Sequence, residues 1–193
     1  MEFLFWFCLL LIVYCYFGYP LLLLFVSKII PRPVKKEPIT PKVSIVLSVW
    51  NEQDVIRRKL SNLMSLDYPA DSYEIIVGSD GSDDNTNDII RSFNDERIRF
   101  VDRAERRGKM IVLNELVSLA RHEIIVFNDA RQELPPDTIQ KLVANFADNN
   151  VGCVSGELVF RKTEGTTAQG INLYWEYEKF MRNHEAKIHS MLG

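Results

Sequence analysis

The stretch Glu74-Ile75-Ile76-Val77-Gly78-Ser79-Asp80-Gly81-Ser82-Asp83-Asp84-Asn85-Thr86 decides the fold. Its continuous β-branched run, Ile75 to Val77, is the pattern of a strand buried on both faces of a parallel sheet. The run ends abruptly in carboxylates and hydroxyls, so the strand delivers polar groups to its carboxyl end, the edge at which open α/β sheets bind ligands. Gly81 is free to take a backbone conformation closed to other residues, and Asp88, Ile89 and Ile90 lead into a short helix. Turns and helix caps draw on the same polar set, so the neighbouring segments have to separate a binding loop from a turn.

Upstream, Val43 to Val49 forms a second near-continuous apolar strand that ends at Trp50-Asn51-Glu52. Val55, Ile56, Leu60, Leu63 and Met64 then recur at helical spacing, and Asp67-Tyr68-Pro69 closes that helix. The pair of strands with its crossover is a β-α-β unit, expected to be right-handed. Downstream, Ile98 to Val101 reads as a short strand, after which Arg103, Arg106, Arg107 and Lys109 cluster around Gly108. A helix with Met110, Leu113, Leu116, Val117 and Ala120 on one face follows. A basic cluster at a helix N-terminus favours an anion such as phosphate; elsewhere it is a solvated face.

Glu123 to Phe127 is a fourth strand and runs into Asn128-Asp129-Ala130-Arg131. Pro135-Pro136-Asp137 opens a helix carrying Ile139, Leu142, Val143, Phe146 and Ala147 at helical spacing. Acids at three strand ends, Glu52, Asp80 and Asp129, converge where a hydrated divalent cation and a diphosphate fit. Val151 to Phe160 reads as one further strand or hairpin around Gly156, and Ile171 to Met191 as a helix. Its Tyr174, Trp175, Tyr177 and Phe180 suit a core, a membrane interface or a partner surface, with core the default.

The other end of the chain has a different character. No charged residue occurs from Phe3 to Ser27, and about 20 apolar residues span a bilayer core, so residues 1–30 read as a transmembrane anchor. Gly18-Tyr19-Pro20 is expected to kink the span or split it into a re-entrant pair. Lys28, Arg32, Lys35 and Lys36 follow, which by the positive-inside tendency places the downstream domain in the cytoplasm, at the plasma or inner membrane. Residues 31–41, with Pro31, Pro33, Pro38 and Pro41, form a stiff basic linker, and a domain spanning 42–193 follows.

Composition narrows the classes further. A chain of 193 residues with 47% hydrophobic residues supports one core beside the membrane segment. A formal net charge of −3 gives no nucleic-acid signature, so no nucleic-acid partner is expected. Cys8, Cys15 and Cys153 and the three histidines show no metal-ligand spacing, which excludes a structural zinc motif.

V-S-I-V-L-S-V-W-N-E (43–52), S-D-G-S-D-D-N-T (79–86), R-R-G-K-M-I-V-L-N (106–114) and F-N-D-A-R (127–131) together resemble the family 2 glycosyltransferases of the GT-A fold, notably membrane-bound processive and cellulose-synthase-like members. The segment Tyr16-Phe17-Gly18-Tyr19-Pro20 also looks like the N-terminal anchor of such enzymes. The resemblance implies an α/β fold with a mainly parallel sheet, and a nucleotide-diphosphate sugar donor, with uridine diphosphate favoured. Glu52 and Asp80 would grip the nucleoside, since carboxylates accept hydrogen bonds from ribose hydroxyls and a uracil N–H. Ser82 and Asp83 would complete that floor, and Lys109 and Arg106 would neutralise the diphosphate. Asp129 corresponds to the first acid of the family's D-x-D metal motif and would hold a manganese or magnesium ion.

Two departures qualify the resemblance. The third position of the metal motif is Arg131, which removes one hard oxygen ligand and leaves the ion's geometry open; Glu133 is a weaker helper. The family's general base, an Asp in a T-E-D or E-D motif, and the processive Q-x-x-R-W motif are not found in these residues. Thr163-Glu164-Gly165 lacks the Asp. No catalytic base is therefore assigned, and the acceptor half is expected to lie beyond Gly193. The expected function is inverting transfer of a sugar to a polysaccharide, lipid or other acceptor. The alternative is a membrane-tethered module that binds nucleotide sugar without turning it over. A nucleotidyltransferase would carry a glycine-rich basic loop after its first strand, and Val49-Trp50-Asn51-Glu52 is no such loop.

Overall fold

Four apolar segments pair in parallel to make one sheet: β1 (Val43–Val49), β2 (Tyr73–Asp80), β3 (Ile98–Arg103) and β4 (Ile124–Asn128). Their order is β3-β2-β1-β4, with Val43 opposite both Tyr73 and Ile124 and Ile75 opposite Ile98. The computed structural model describes residues 1–159 and 166–188. These form two compact units, residues 1–34 with the described residues from Glu157 onward, and residues 35–156.

Within residues 35–156 the central strands β1 and β2 are covered on both faces, which is why they read as unbroken apolar runs and not as alternating patterns, while β3 and β4 at the edges are half-buried. On one face Ile45, Leu47, Ile75 and Val77 pack with Ile56, Leu60 and Leu63 of α3 (Ile56–Met64), Ile90 of α4 (Thr86–Arg91), and Ile139 and Val143 of α6 (Thr138–Val143). On the other face Val46 and Ile76 meet Val112, Leu113 and Leu116 of α5 (Lys109–Leu119). A Cβ on Gly78 would stand 2.6 Å from Val112 Cγ1, so glycine is what lets α5 lie this close to β2. The expected face of α5 is corrected here. Met110 is exposed, Val117 is at the surface, and Val112 is buried in their place. The helix starts at Lys109, immediately after the loop held by Asp80, and that anchoring sets its rotation.

α3 buries one lysine. Lys59 lies on its buried side at 1% exposure, with Nζ donating to the Gln132 carbonyl at 2.6 Å. Desolvation pushes its ammonium down to about 8, against the opposing pull of the Asp129 and Glu133 charges. Residues 151–159 form no strand or hairpin. They have no ladder partner among the described residues, and Gly152 and Gly156 weaken an extended conformation. Phe160 and Thr163-Glu164-Gly165 lie outside the described residues.

In the other unit, α1 (Glu2–Val13), a π-helical turn (Tyr14–Gly18) and α2 (Tyr19–Ile29) form one uninterrupted helical run. At 28 residues, Glu2–Ile29 is long and apolar enough to cross a membrane. Neither a re-entrant break nor two separate pieces is present. Pro20 has no N–H to offer the Tyr16 carbonyl one turn back, and the Tyr177 hydroxyl donates to that carbonyl instead, at 3.2 Å. Tyr177 belongs to α7 (Thr166–Ile188), which begins earlier than the spacing predicts. Tyr174 on α7 is exposed and so is no core residue.

Candidate functional site

The strand order places the site. The chain leaves β1 toward β2 on one side and later returns to β4 on the other, so the loops after β1 and β4 diverge and open a crevice at their carboxyl ends. A cavity of about 330 Å³ sits there, lined by Trp50 and Glu52 after β1, Asp80 at the end of β2, Arg106 and Lys109 before and at the start of α5, and Asp129 after β4. Ser48, Val49, Gly108, Ala130 and Arg131 complete the wall.

Each acid is held differently. Asp80, 3% exposed, accepts from the Arg107 N–H at 2.6 Å and from the Gly108 N–H at 2.9 and 3.2 Å. It therefore fixes the basic loop from below. Gly81, at φ +69°, lets that loop pass; a Cβ there would stand 2.7 Å from the Arg106 nitrogen. Glu52 accepts from Arg131 Nε at 3.0 and 3.2 Å on its two oxygens, and its backbone N–H donates to Thr86 Oγ1 at 2.8 Å. Asp129 accepts from Lys109 Nζ at 2.8 Å and from the Arg131 backbone N–H at 3.0 Å. Burial pushes the Asp129 carboxyl up, but the hydrogen bonds from Lys109 and Arg131 and their charges outweigh it and hold the carboxyl below its ordinary value. The same pairing with Glu52 raises the Arg131 guanidinium.

The basic wall is equally ordered. Arg106 lies over the Trp50 ring, 3.6 Å from guanidinium carbon to centroid, a cation–π contact that holds it at the mouth. Arg103 is turned away and pairs with Glu115 of α5. Asn51 carries a left-handed backbone, φ +51°, which asparagine tolerates better than most residues and which turns the chain sharply out of β1.

Of the residues singled out in the sequence, Glu52, Asp80, Arg106, Lys109 and Asp129 share this cavity, whereas Ser82 and Asp83 are not among its lining. They brace it from behind. Ser82 Oγ accepts from the Asn51 N–H at 3.1 Å, and Asp83 accepts from Asn51 Nδ2 at 2.6 Å. Asp84 accepts from the Thr86 N–H at 2.9 Å and opens α4. Glu133 also lies outside the lining and pairs with Arg58. Sequence reading missed Trp50 as a wall of the site, although an aromatic directly past a buried strand, with arginines to stack on it, was a usable signal. It also missed the partner of Arg131.

Among the described residues no group of three or more His, Cys, Asp or Glu is arranged to hold a metal ion. Asp129 is nevertheless suited to a manganese or magnesium ion shared with a ligand, because such ions keep several waters and take one or two carboxylates plus phosphate oxygens. The donor set fits a cation delivered with a diphosphate better than one held by protein alone.

The glycosyl transferase family 2 model matches residues 44–191. A poly-beta-1,6-N-acetyl-D-glucosamine synthase of Staphylococcus epidermidis is 35% identical over 116 residues, which are 59% of this chain and 28% of the synthase. The Staphylococcus aureus MSSA476 synthase of that name is 34% identical over the same shares. The chain thus spans 28% of the length of these curated relatives. Among solved structures, the mannosyltransferase PcManGT from Pyrobaculum calidifontis in complex with GDP-Man and Mn2+ superposes with a TM-score of 0.71 and 28% identity, over 92% of this chain and 50% of that one. Staphylococcus aureus TarS 1-349 shares the fold, with a TM-score of 0.50 and 23% identity over 53% of this chain and 31% of its own. With the family match running from the second residue of β1 through the sheet and every wall of the cavity, the chain belongs to glycosyl transferase family 2.

Proposed function

We propose that this chain carries the donor-binding part of a membrane-anchored glycosyltransferase that moves a sugar from a nucleoside diphosphate to a polysaccharide or lipid acceptor. Residues 1–30 anchor it, residues 31–41 link, and the domain from residue 42 onward works in the cytoplasm, where nucleotide sugars are made. The observation that carries this reading is the shared cavity: three acid-bearing strand ends and the basic start of α5 meet at the one crevice the strand order creates.

In that crevice Glu52 and Asp80 lie at the ends of β1 and β2, where a nucleoside's hydroxyls and imide would find acceptors. Lys109 and Arg106 face the diphosphate, with the Trp50 ring beside Arg106. When the acceptor hydroxyl attacks the anomeric carbon, a carbon–oxygen bond forms, the hydroxyl proton passes to a general base to which no residue of this chain is assigned, the anomeric carbon–oxygen bond to the phosphate breaks, and the nucleoside diphosphate departs with added negative charge. The cations of Lys109 and Arg106 stabilise that charge. Asp129 would hold a divalent cation that supplies Lewis-acid stabilisation to the leaving phosphate. The named relatives agree with this in kind, one a polysaccharide synthase and the other solved with a nucleotide sugar and Mn2+.

Titration calorimetry of uridine and guanosine diphosphates and their sugars, with and without manganese or magnesium, tests the reading. Metal-assisted binding that is lost on Asp129→Asn supports it; no binding of any nucleoside diphosphate sinks it. The placement of the domain is tested by protease digestion of sealed vesicles, where cleavage only from the outside would reverse the orientation.

A further inference from the structure

We propose that the chain's own cations keep the divalent-cation site closed and that a diphosphate opens it, so that Asp129 takes up a metal ion only once Lys109 has transferred to phosphate. The inference rests on the functional reading above and adds a regulation of the same site.

Two ion pairs cross the cavity. Lys109 Nζ stands 2.8 Å from Asp129 Oδ2, and Arg131 Nε 3.0 Å from Glu52 Oε1. They share one short loop, since the Arg131 backbone N–H also binds Asp129 Oδ1, at 3.0 Å. The charges therefore alternate along one wall as Lys109, Asp129, Arg131 and Glu52. The remaining acid, Asp80, is committed to the N–H groups of Arg107 and Gly108. No carboxylate lining this cavity is left without a donor.

The consequence differs for the two ligands. A metal ion arriving alone has to displace an ammonium from Asp129 while facing the charges of Arg106 and Arg131. A diphosphate arriving alone offers Lys109 and Arg131 a more highly charged partner, and in taking it they release Asp129 and Glu52. The exchange is easy on the cationic side, because the Lys109 and Arg131 side chains are 55% and 73% exposed and exposed pairs of this kind contribute little. It is more fixed on the anionic side, because both acids follow closely on paired strands, Glu52 after β1 and Asp129 after β4, and have shorter side chains than their partners. Arg131, which stands where related metal motifs carry a second acid, thus acts as a placeholder and not as a vacancy. By linkage, the metal must tighten diphosphate binding by the same factor by which the diphosphate tightens metal binding.

The test uses the full chain in detergent, with Mn2+ affinity read from free Mn2+ by electron paramagnetic resonance, alone and with saturating uridine or guanosine diphosphate. Binding of Mn2+ to the nucleotide in solution is measured separately and subtracted. Lys109→Met should tighten binding of Mn2+ alone by about fivefold while weakening the diphosphate and reducing the coupling toward one. Arg107→Met removes the same charge from the same loop without touching Asp129 and should leave Mn2+ affinity within about twofold. Adding Asp129→Asn to Lys109→Met should return the affinity to its starting value. Equal effects of Lys109→Met and Arg107→Met, or none from Lys109→Met in a chain that binds diphosphate, overturn the exchange and leave the functional reading standing. A chain that binds no diphosphate overturns both.

Discussion

At the amino-terminal edge of the sheet, Glu74 is buried and saturated: it accepts from Ser44 Oγ at 2.7 Å, from the Arg121 N–H at 2.8 Å and from Arg99 Nη1 at 3.0 Å. At the carboxyl-terminal edge, Glu52 is paired with the end of a long side chain that reaches in from solvent, and Asp129 with another beside the one backbone N–H of Arg131. Both edges hold acids beside basic side chains. What separates them is the kind of donor. Backbone N–H groups and a buried hydroxyl cannot leave without unfolding, whereas an exposed ammonium can move to a better anion. Glu74 keeps its donors whatever binds, whereas the charged partners of Asp129 and Glu52 are free to pass to a ligand.

Five changes would sharpen or break this contrast. Glu74→Gln should lower stability by about 3 kcal/mol, because it leaves the Arg99 charge half-buried and unanswered, a loss measured by urea unfolding in detergent. Its pH dependence has a definite sign. Burial raises the Glu74 carboxyl, but the Ser44, Arg121 and Arg99 hydrogen bonds more than offset this and hold it below its ordinary value. The stability it contributes is therefore complete above the unfolded carboxylate value and is lost as pH falls through the lower folded one. A Glu74→Gln loss no larger than that of a surface residue would break the comparison.

Asp80 is intermediate, a cavity acid held by backbone donors. Asp80→Ala should weaken nucleoside diphosphate binding by about 1–3 kcal/mol, and Asp84→Ala, which disturbs only the start of α4, should weaken it less; equal calorimetric losses would erase the distinction. Smaller still in stability terms, Asp129→Asn should remove the metal-dependent part of binding while changing unfolding free energy by no more than about 0.5 kcal/mol. Arg131→Asp comes last. It should likewise leave the fold intact and should weaken donor binding, since Arg131 passes to phosphate; stronger metal dependence with donor affinity unchanged would show that Arg131 only fills a ligand position.

The sheet was legible because parallel strands covered on both faces leave unbroken apolar runs, and Ile75 to Val77 or Val43 to Val49 admit little else. The position of Glu52, Asp80 and Asp129 at one edge followed from the same runs, since each acid comes just past one. What the sequence left hidden depends on rotation and reach. The spacing of α5 fits Met110 and Val117 as well as Val112, and only the anchored start of the helix chooses between them. Lys59 reads as a solvated residue until the Gln132 carbonyl is found above its ammonium. Residues 151–159 have strand-like composition, but a strand exists only through a partner, and composition does not name one. The hydrogen bonds of Ser82 and Asp83 to Asn51 were equally invisible, because they join two loops that are about thirty residues apart in the chain.

Lys59 has a practical consequence. An amine lowered to about 8 carries more of the nucleophilic free base at neutral pH than an ordinary lysine does, so it is intrinsically the more reactive toward acylating reagents. At 1% exposure, however, no reagent reaches it in the closed fold. Its acylation rate therefore counts how often the packing around α3 opens, at a position remote from any reagent in the folded chain.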